Sequence, residues 1–360
     1  MVDTAIAAMR DYLTQGTSAN SGGRFAASQA TGSMVTSARA TVGKLLGADP
    51  GGIVFGPNMT SLTLAFTRAL ARTLEPEDEI VGTRLDHDAN VTPWKLAADD
   101  AGATMLLAPF DPGTGRLAVD SVVDRIGPST RWVTVTGASN ALGTIPDVAA
   151  IVDAAHGAGA RVFVDAVHLA PHRAIDTAAL GCDAIVTSPY KWYGPHAGVL
   201  WLSPDLRTGL TPYKVRPAPD TPPERFETGT PAYEAIAATA AAAEFLLDQG
   251  MHTIADEERA VFAPLLDGLL ALRQVRVHGP RTLADRTPTV CFSVTGHSSA
   301  QVADALAGER VAVWGGHYYA VEVMATLGLA EAGGAIRAGV SRYTTSEDVE
   351  RLLTAVARLR

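Results

Sequence analysis

The feature that most limits what this chain can become is an alternation running from residue 53 to residue 203. Short runs of Val, Ile and Leu, almost uninterrupted by polar residues, take turns with stretches of helical spacing. IVFG (53–56) precedes TSLTLAFTRALART, and EIVGT (79–83) precedes VTPWKLAADDAG. TMLLAPF (104–110) and RWVTVTG (131–137) follow, and DVAAIVDAAHGAG (147–159) leads into RVFVDAV (161–167). AIVTS (184–188) and GVLWLS (198–203) complete the series. Strands apolar on both faces need a helical layer on each side, and strand–helix–strand units cross over right-handedly. The expected fold is α/β on a mostly parallel sheet, with a ligand at the carboxyl ends of the strands.

Residues 203–231 interrupt the pattern with proline, threonine and charge, and read as a long surface excursion. The alanine-rich helix AYEAIAATAAAAEFLLDQG comes next. VRVHG, TVCFSV, VAVWG and AIRAGVSRY then alternate with helical stretches and end in SEDVERLLTAVARL. This divides the chain into an N-terminal helix (1–16), a large α/β domain (17–232) and a smaller α+β C-terminal domain (233–360).

Charge and cysteine usage remove several function classes. The 360 residues carry 29 basic and 38 acidic side chains, net −9, with no basic stripe, so nucleic acid is not an expected partner. Two cysteines, Cys182 and Cys291, exclude a disulfide framework and an all-cysteine zinc site. No apolar run reaches the roughly 18–20 residues of a membrane span. The opening MVDTAIAAMRDYL carries acidic residues and does not read as a signal peptide. A soluble cytoplasmic protein in a reducing compartment is expected.

Neither GxGxxG after the first strand nor GxxxxGK[ST] anywhere is present, so the sheet serves another ligand than a dinucleotide or a P-loop nucleotide. The polar residues at the strand ends say which. Asp165 closes RVFVD and His168 lies three residues on; Asn140 follows RWVTVTGAS, His87 follows EIVGTRLD, and Ser188, Tyr190 and Lys191 follow AIVT. A strand-end lysine can form a Schiff base with an aldehyde. A nearby carboxylate can keep a pyridine nitrogen protonated, an imidazole can stack on an aromatic ring, and hydroxyls with helix N-terminal amides can hold a phosphate. The set describes a pyridoxal 5′-phosphate (PLP) site. His168 and His172 have the spacing of a metal pair, but Pro171 lies between them and no carboxylate-rich partner set accompanies them, so no metal is expected.

VDAVHLAPH…CDAIVTSPYKWYGPHAG resembles the cofactor segment of class V aminotransferase-like, fold-type I PLP enzymes, above all their cysteine desulfurase and selenocysteine lyase branch. LDHDANVTPW, GASNALGTIPDV, RFETGTP and IRAGVSRYTTSEDVERL resemble further blocks of that branch, in its order. The resemblance implies a PLP enzyme acting on an amino acid through a carbanion at Cα. Lys191 becomes the Schiff-base lysine and the acid/base at Cα, Asp165 the partner of the pyridinium nitrogen, and His87 the residue stacked on the ring. Asn140 and His168 fall to the ring hydroxyl. Met59, Thr60, Ser188 and Tyr190 fall to the phosphate, joined by Thr230 from a neighbouring subunit of a homodimer. Arg337 falls to the substrate carboxylate, with Asn140 and His317 beside it.

Two departures bear on the reaction. The branch carries a loop cysteine in a GHHCA-like stretch; this chain reads WGGHYYAVEVM, with Tyr319 at the cysteine's position beside His317 and Tyr318. The small-residue loop that the branch places before its first helix is also not found, which leaves the substrate end open. Direct β-elimination, a carbon–sulfur lyase activity, is therefore expected first. Desulfuration with sulfur transfer, transamination, epimerisation and a non-catalytic PLP-binding role remain as alternatives.

Overall fold

The computed structural model describes residues 1–15 and 18–359. Its large sheet has seven strands: β1 (Ile53–Gly56), β2 (Glu79–Thr83), β3 (Thr104–Ala108), β4 (Thr130–Thr136), β5 (Arg161–Asp165), β6 (Ala184–Thr187) and β7 (Gly198–Leu202). They lie in the order β1-β7-β6-β5-β4-β2-β3. Every pairing is parallel except those of β7, which runs against both β1 and β6. Two reversals leave β1 parallel to the rest, so the carboxyl ends of β1, β2, β4, β5 and β6 share one edge. The expected α/β fold is the one observed.

Helices α1 (Asp3–Thr14), α2 (Ala26–Leu46), α3 (Met59–Leu70), α4 (Thr92–Ala101), α5 (Val119–Val123), α6 (Val148–Gly157), α7 (Thr177–Leu180) and α8 (Pro204–Gly209) accompany this sheet. One face is sealed by an aromatic knot in which Phe66 of α3 meets Trp94 of α4, Trp132 of β4 and Phe163 of β5, ring centroids 5.3–5.9 Å apart. The alanine-rich α9 (Tyr233–Gln249) packs against α1 and α2. Its Ala238, Ala242 and Ala243 are fully buried, and their small side chains let the helix axes approach closely.

The second sheet is antiparallel, in the order β10-β11-β9-β8, with β8 (Val275–His278), β9 (Thr289–Val294), β10 (Trp314–Gly316) and β11 (Ala335–Gly339). The strand expected over VAVWG starts only at Trp314; Val311 turns back to the end of α11 (Ser299–Gly308), its amide bonded to the Leu306 carbonyl. α10 (Met251–Ala271) links the two cores. Its Met251 and Ile254 enter the large one, while Phe262, Leu265, Leu266 and Leu269 enter the small one. α12 (Val321–Thr326) and α13 (Ser346–Arg358) complete the chain, the latter opened by a capping box of Thr345 and Asp348. No described helix is long and apolar enough to cross a membrane.

The excursion at 203–231 is more firmly anchored than its composition implies. Glu227 reaches inward and takes a forked pair of bonds from Arg39, 2.9 Å each, and a third from the Phe55 amide at 2.7 Å. Leu206 and Leu210, within it, are buried.

Candidate active site

The corner expected to hold an anion forms where β1 hands over to α3. Asn58 caps the helix by accepting from the Ser61 amide at 2.8 Å, which leaves the first amides aimed outward. The Met59 amide points at the Ser188 hydroxyl, 3.3 Å away, so the α3 N-terminus and the turn after β6 meet as expected. Thr60 is exposed on the first turn, its hydroxyl 3.4 Å from the Met59 sulfur. The close approach depends on Gly198 at the start of β7. A Cβ there would lie 2.4 Å from the Asn58 carbonyl carbon and 2.8 Å from Leu62.

Ser188 is fully buried, and a single 3₁₀ turn, Pro189–Lys191, carries the chain from it to Lys191. Lys191 has no carboxylate within ion-pair distance among the described residues; its Nζ lies 5.2 Å from the Tyr190 ring. Desolvation, then the positive charge of Arg337, hold the Lys191 ammonium below its ordinary pKa. Tyr190 is stacked on His196 at 5.2 Å, with its phenol pushed up by burial.

Asp165 ends β5 fully enclosed. One carboxylate oxygen accepts from the Val167 amide at 2.9 Å, and the other meets no donor among the described residues. Burial pushes this carboxyl up to about 6. Beside it, a buried network sets the turn carrying His87. Asp86 accepts from Asn90 Nδ2 at 2.7 Å and from the Thr83 hydroxyl; Asn90 Oδ1 accepts from Trp94 at 3.1 Å and Thr134 at 2.7 Å. Burial drives the Asp86 carboxyl well above its usual range. His87 Nδ1 accepts from the Ala89 amide at 3.0 Å, and burial followed by the Lys191 charge holds the ring neutral down to about 4. The sequence reading passed over this network, whose signal is the Asp-x-x-x-Asn spacing inside DHDAN.

Asn140 and Arg337 meet at the end where substrate is expected. Arg337 donates to the Asn140 carbonyl at 3.0 Å and lies 4.8 Å beneath the Tyr318 ring. It has no carboxylate partner among the described residues, and burial lowers its pKa. Asn140 donates to the Tyr318 carbonyl at 2.9 Å, while its side-chain oxygen is buried without a partner. The Tyr318 hydroxyl lies 3.3 Å from Cys291, the residue opposite Arg337 in the β9–β11 register. The loop tip is fastened to the large sheet: the Asp88 amide donates to the Tyr319 carbonyl at 2.7 Å, and the Tyr319 ring stacks on His87 at 5.5 Å and 24°. Tyr318 and Tyr319 both adopt positive φ, 37° and 59°, a conformation that costs a non-glycine residue about 1–3 kcal/mol. His317 is exposed beside them and accepts from the Tyr319 amide at 3.0 Å.

His168 lies in the turn after β5. Its Nε2 sits 3.0 Å from the Thr289 hydroxyl and 3.2 Å from that of Thr287, which leaves Nδ1 for a ligand. Thr230 stands apart, exposed on the loop before α9 and without a bond to its own chain among the described residues. No cluster of metal ligands is found among the described residues.

The pieces left over fit PLP. Asp165 has one oxygen without a donor, Lys191 an amine without an acid partner, Arg337 a guanidinium without a carboxylate, and Asn140 a buried oxygen without a donor. A pyridine nitrogen, an aldehyde, a substrate carboxylate and a ligand donor supply what these groups lack.

A model of the family "Aminotransferase class-V" matches residues 1–352. Probable cysteine desulfurase 1 of Mycobacterium leprae is 33% identical over 298 residues, 79% of this chain and 48% of that protein. A cysteine desulfurase of Klebsiella pneumoniae subsp. pneumoniae is 32% identical over 296 residues, 79% of this chain and 71% of that protein. This chain thus spans about half the length of the mycobacterial relative. Among solved structures, the apo cysteine desulfurase of Thermococcus onnurineus superposes with a TM-score of 0.93 at 28% identity, and cysteine desulfurase CsdA of Escherichia coli with 0.89 at 26%. Each superposition covers 99% of this chain and 91% of the other.

Proposed function

The chain belongs to the class-V aminotransferase family, whose cofactor is PLP, and on that footing we propose that it breaks a carbon–sulfur bond of a small amino acid by direct β-elimination. The observation that carries the elimination reading is the placement of the thiols. Cys182 and Cys291 are both buried, and burial pushes each thiol up to about 12, while the loop tip presents Tyr318 and Tyr319. Neither sulfur is an accessible nucleophile.

When bound, the cofactor supplies an electron sink for the charge left at Cα. Asp165 would hold the proton on the ring nitrogen, and His87 would lie against the ring. Asn140 and His168 would face the ring hydroxyl. The Met59 and Thr60 amides, with the hydroxyls of Thr60, Ser188 and Tyr190, would hold the phosphate. Arg337 orients the substrate by its carboxylate, through a charge-assisted contact that its missing acid partner leaves available. Lys191 takes the proton from Cα, and its lowered pKa increases the share of free amine. His317 and Tyr319, both exposed at the tip, are the candidate donors of the proton that leaves with sulfur. Thr230, solvent-facing in its own chain, would complete the phosphate site of a second copy in a homodimer.

A second reading has one observation in its favour: the 3.3 Å contact between Cys291 and the Tyr318 hydroxyl places a sulfur next to the carboxylate arginine. The test is product analysis. Protein supplied with PLP is given cysteine, cystine and S-substituted cysteines, and pyruvate, alanine with sulfide, keto acid and inverted substrate are scored separately, with Lys191→Ala as the control. Pyruvate formation retained after joint Cys182→Ser and Cys291→Ala replacement is expected. Alanine formation that vanishes with Cys291 would establish sulfur transfer instead, and a visible spectrum unmoved by every amino acid would indicate a binding protein.

A further inference from the structure

A buried chain of ionisable side chains runs away from the cofactor pocket, and the chemistry above does not use it. The turn after β5 is helical, with the Leu169 and Ala170 amides bonded to the Ala166 carbonyl and the His172 amide to that of Leu169. It sets the rings of His168 and His172 edge to face, centroids 5.4 Å apart at 71°. His172 Nδ1 lies 2.8 Å from Glu258 Oε2. Glu258 is 1% exposed, on the helix that links the two cores, and its other oxygen is buried without a partner. A buried carboxylate costs several kcal/mol unless paired, so the position is not one that packing alone would fill with Glu.

Two hydroxyls, those of Thr289 and Thr287, face His168 Nε2. The Thr287 hydroxyl donates to the Gly143 carbonyl at 3.3 Å, so it offers a lone pair to His168. An Nε2–H donating to that lone pair leaves Nδ1 bare. The charged and titratable groups facing His168 are His172, Arg337, Lys191 and His87. His172 faces His168 and Glu258; Glu258 faces His172 and Tyr193.

We infer that His172 and Glu258 are positioning residues for His168: the carboxylate fixes the His172 ring, and that ring, packed edge to face, holds His168 against the Thr287 and Thr289 hydroxyls, so that a bare Nδ1 accepts a hydrogen bond from the cofactor hydroxyl. The inference rests on reading the pocket as a PLP site. Burial and the surrounding positive groups keep His168 neutral far below its ordinary pKa, in agreement with that role.

Two measurements decide it. In the cofactor-free protein, ring-nitrogen chemical shifts of ¹⁵N-histidine-labelled samples should show His168 as a single Nε2–H tautomer; an Nδ1–H tautomer would overturn the inference. Replacing both members of the pair, His172→Phe with Glu258→Leu, removes the buried contact without stranding a polar partner. This variant should fold and show both His168 tautomers in exchange, while Glu258→Gln, which keeps shape and hydrogen bond, should retain the single one. In the holoprotein, Glu258→Gln should lower the pH midpoint of the visible band by about half a pH unit, because a negative charge that favours bound protons has gone. An unmoved midpoint in Glu258→Gln reduces the pair to a structural role, whether or not the double variant folds. A parent protein that never takes up PLP would defeat the cofactor reading instead, and the tautomer measurement still stands by itself.

Discussion

Single side chains at this site are defined by what they lack. Arg337 is the clearest: it is half-buried and roofed by the Tyr318 ring, and it donates to one backbone carbonyl. Its replacement by Ala should weaken substrate binding by about a hundredfold, the worth of a charge-assisted contact of roughly 3 kcal/mol. Cofactor affinity should stay within about threefold of the parent. Comparing dissociation constants for PLP and for a slow substrate analogue checks this, and equal losses would remove Arg337 from its role. The sequence singled it out because IRAGVSRY carries the motif. Its neighbourhood was not legible there. Tyr318, Cys291 and Asn140 are brought to it by strand register and loop closure, Asn140 from 197 residues back along the chain, which no local pattern encodes.

One turn and one strand pair give predictions of their own. The turn bearing His87 stands on the Asp86–Asn90–Trp94–Thr134 network. Asn90→Ala strands a buried carboxylate, an indole N–H and a hydroxyl together, and should cost about 2–4 kcal/mol in chemical denaturation, with His87 displaced. A loss below about 1 kcal/mol would mean that water or rearrangement replaces the amide. In the small sheet, His278 of β8 bonds Ser293 of β9 at 3.0 Å, and burial lowers its pKa to about 4. Unfolded histidine titrates near 6.5, so both states are neutral at pH 7 and only the unfolded state gains a proton on acidification. Stability is therefore lost as pH falls from about 6.5 towards 4. His278→Gln should recover about 1–2 kcal/mol near pH 5 and little at pH 7, read from denaturation midpoints at the two pH values. The strands themselves were plain in the sequence, since both-face burial writes continuous Val, Ile and Leu. The reversal of β7 was not, because a strand buried on both faces reads the same in either direction. The β10 edge was misplaced because VAVWG has strand composition while Val311 is held by a helix end.

At the level of the whole molecule, the site lies where two cores meet, with α10 running through both and the Tyr319 tip fastened to the large sheet. The proposed homodimer adds a third contributor. If Thr230 serves the neighbouring site, mixing Thr230→Ala protein with Lys191→Ala protein should restore one normal site per mixed dimer. PLP affinity and turnover of the mixture should then exceed those of either variant alone. A mixture that performs as the plain average of its parts would confine Thr230 to its own chain. The change of composition at 203–231 marked an excursion in the sequence, yet the inward grip of Glu227 on Arg39 and Phe55 was hidden. A charged residue in a proline-rich stretch looks solvated until its cation is found, and that cation lies far back on α2.

Position 198 carries more consequence than its size announces. The strand that runs the wrong way begins there, pressed against the backbone that opens α3. Even one methyl group would wedge the two segments apart and withdraw the Met59 amide from Ser188. If these segments are the anion's two walls, as proposed, their spacing is gauged by a hydrogen atom, and drift at this one codon would be felt as lost grip on phosphate before any change in the reacting groups.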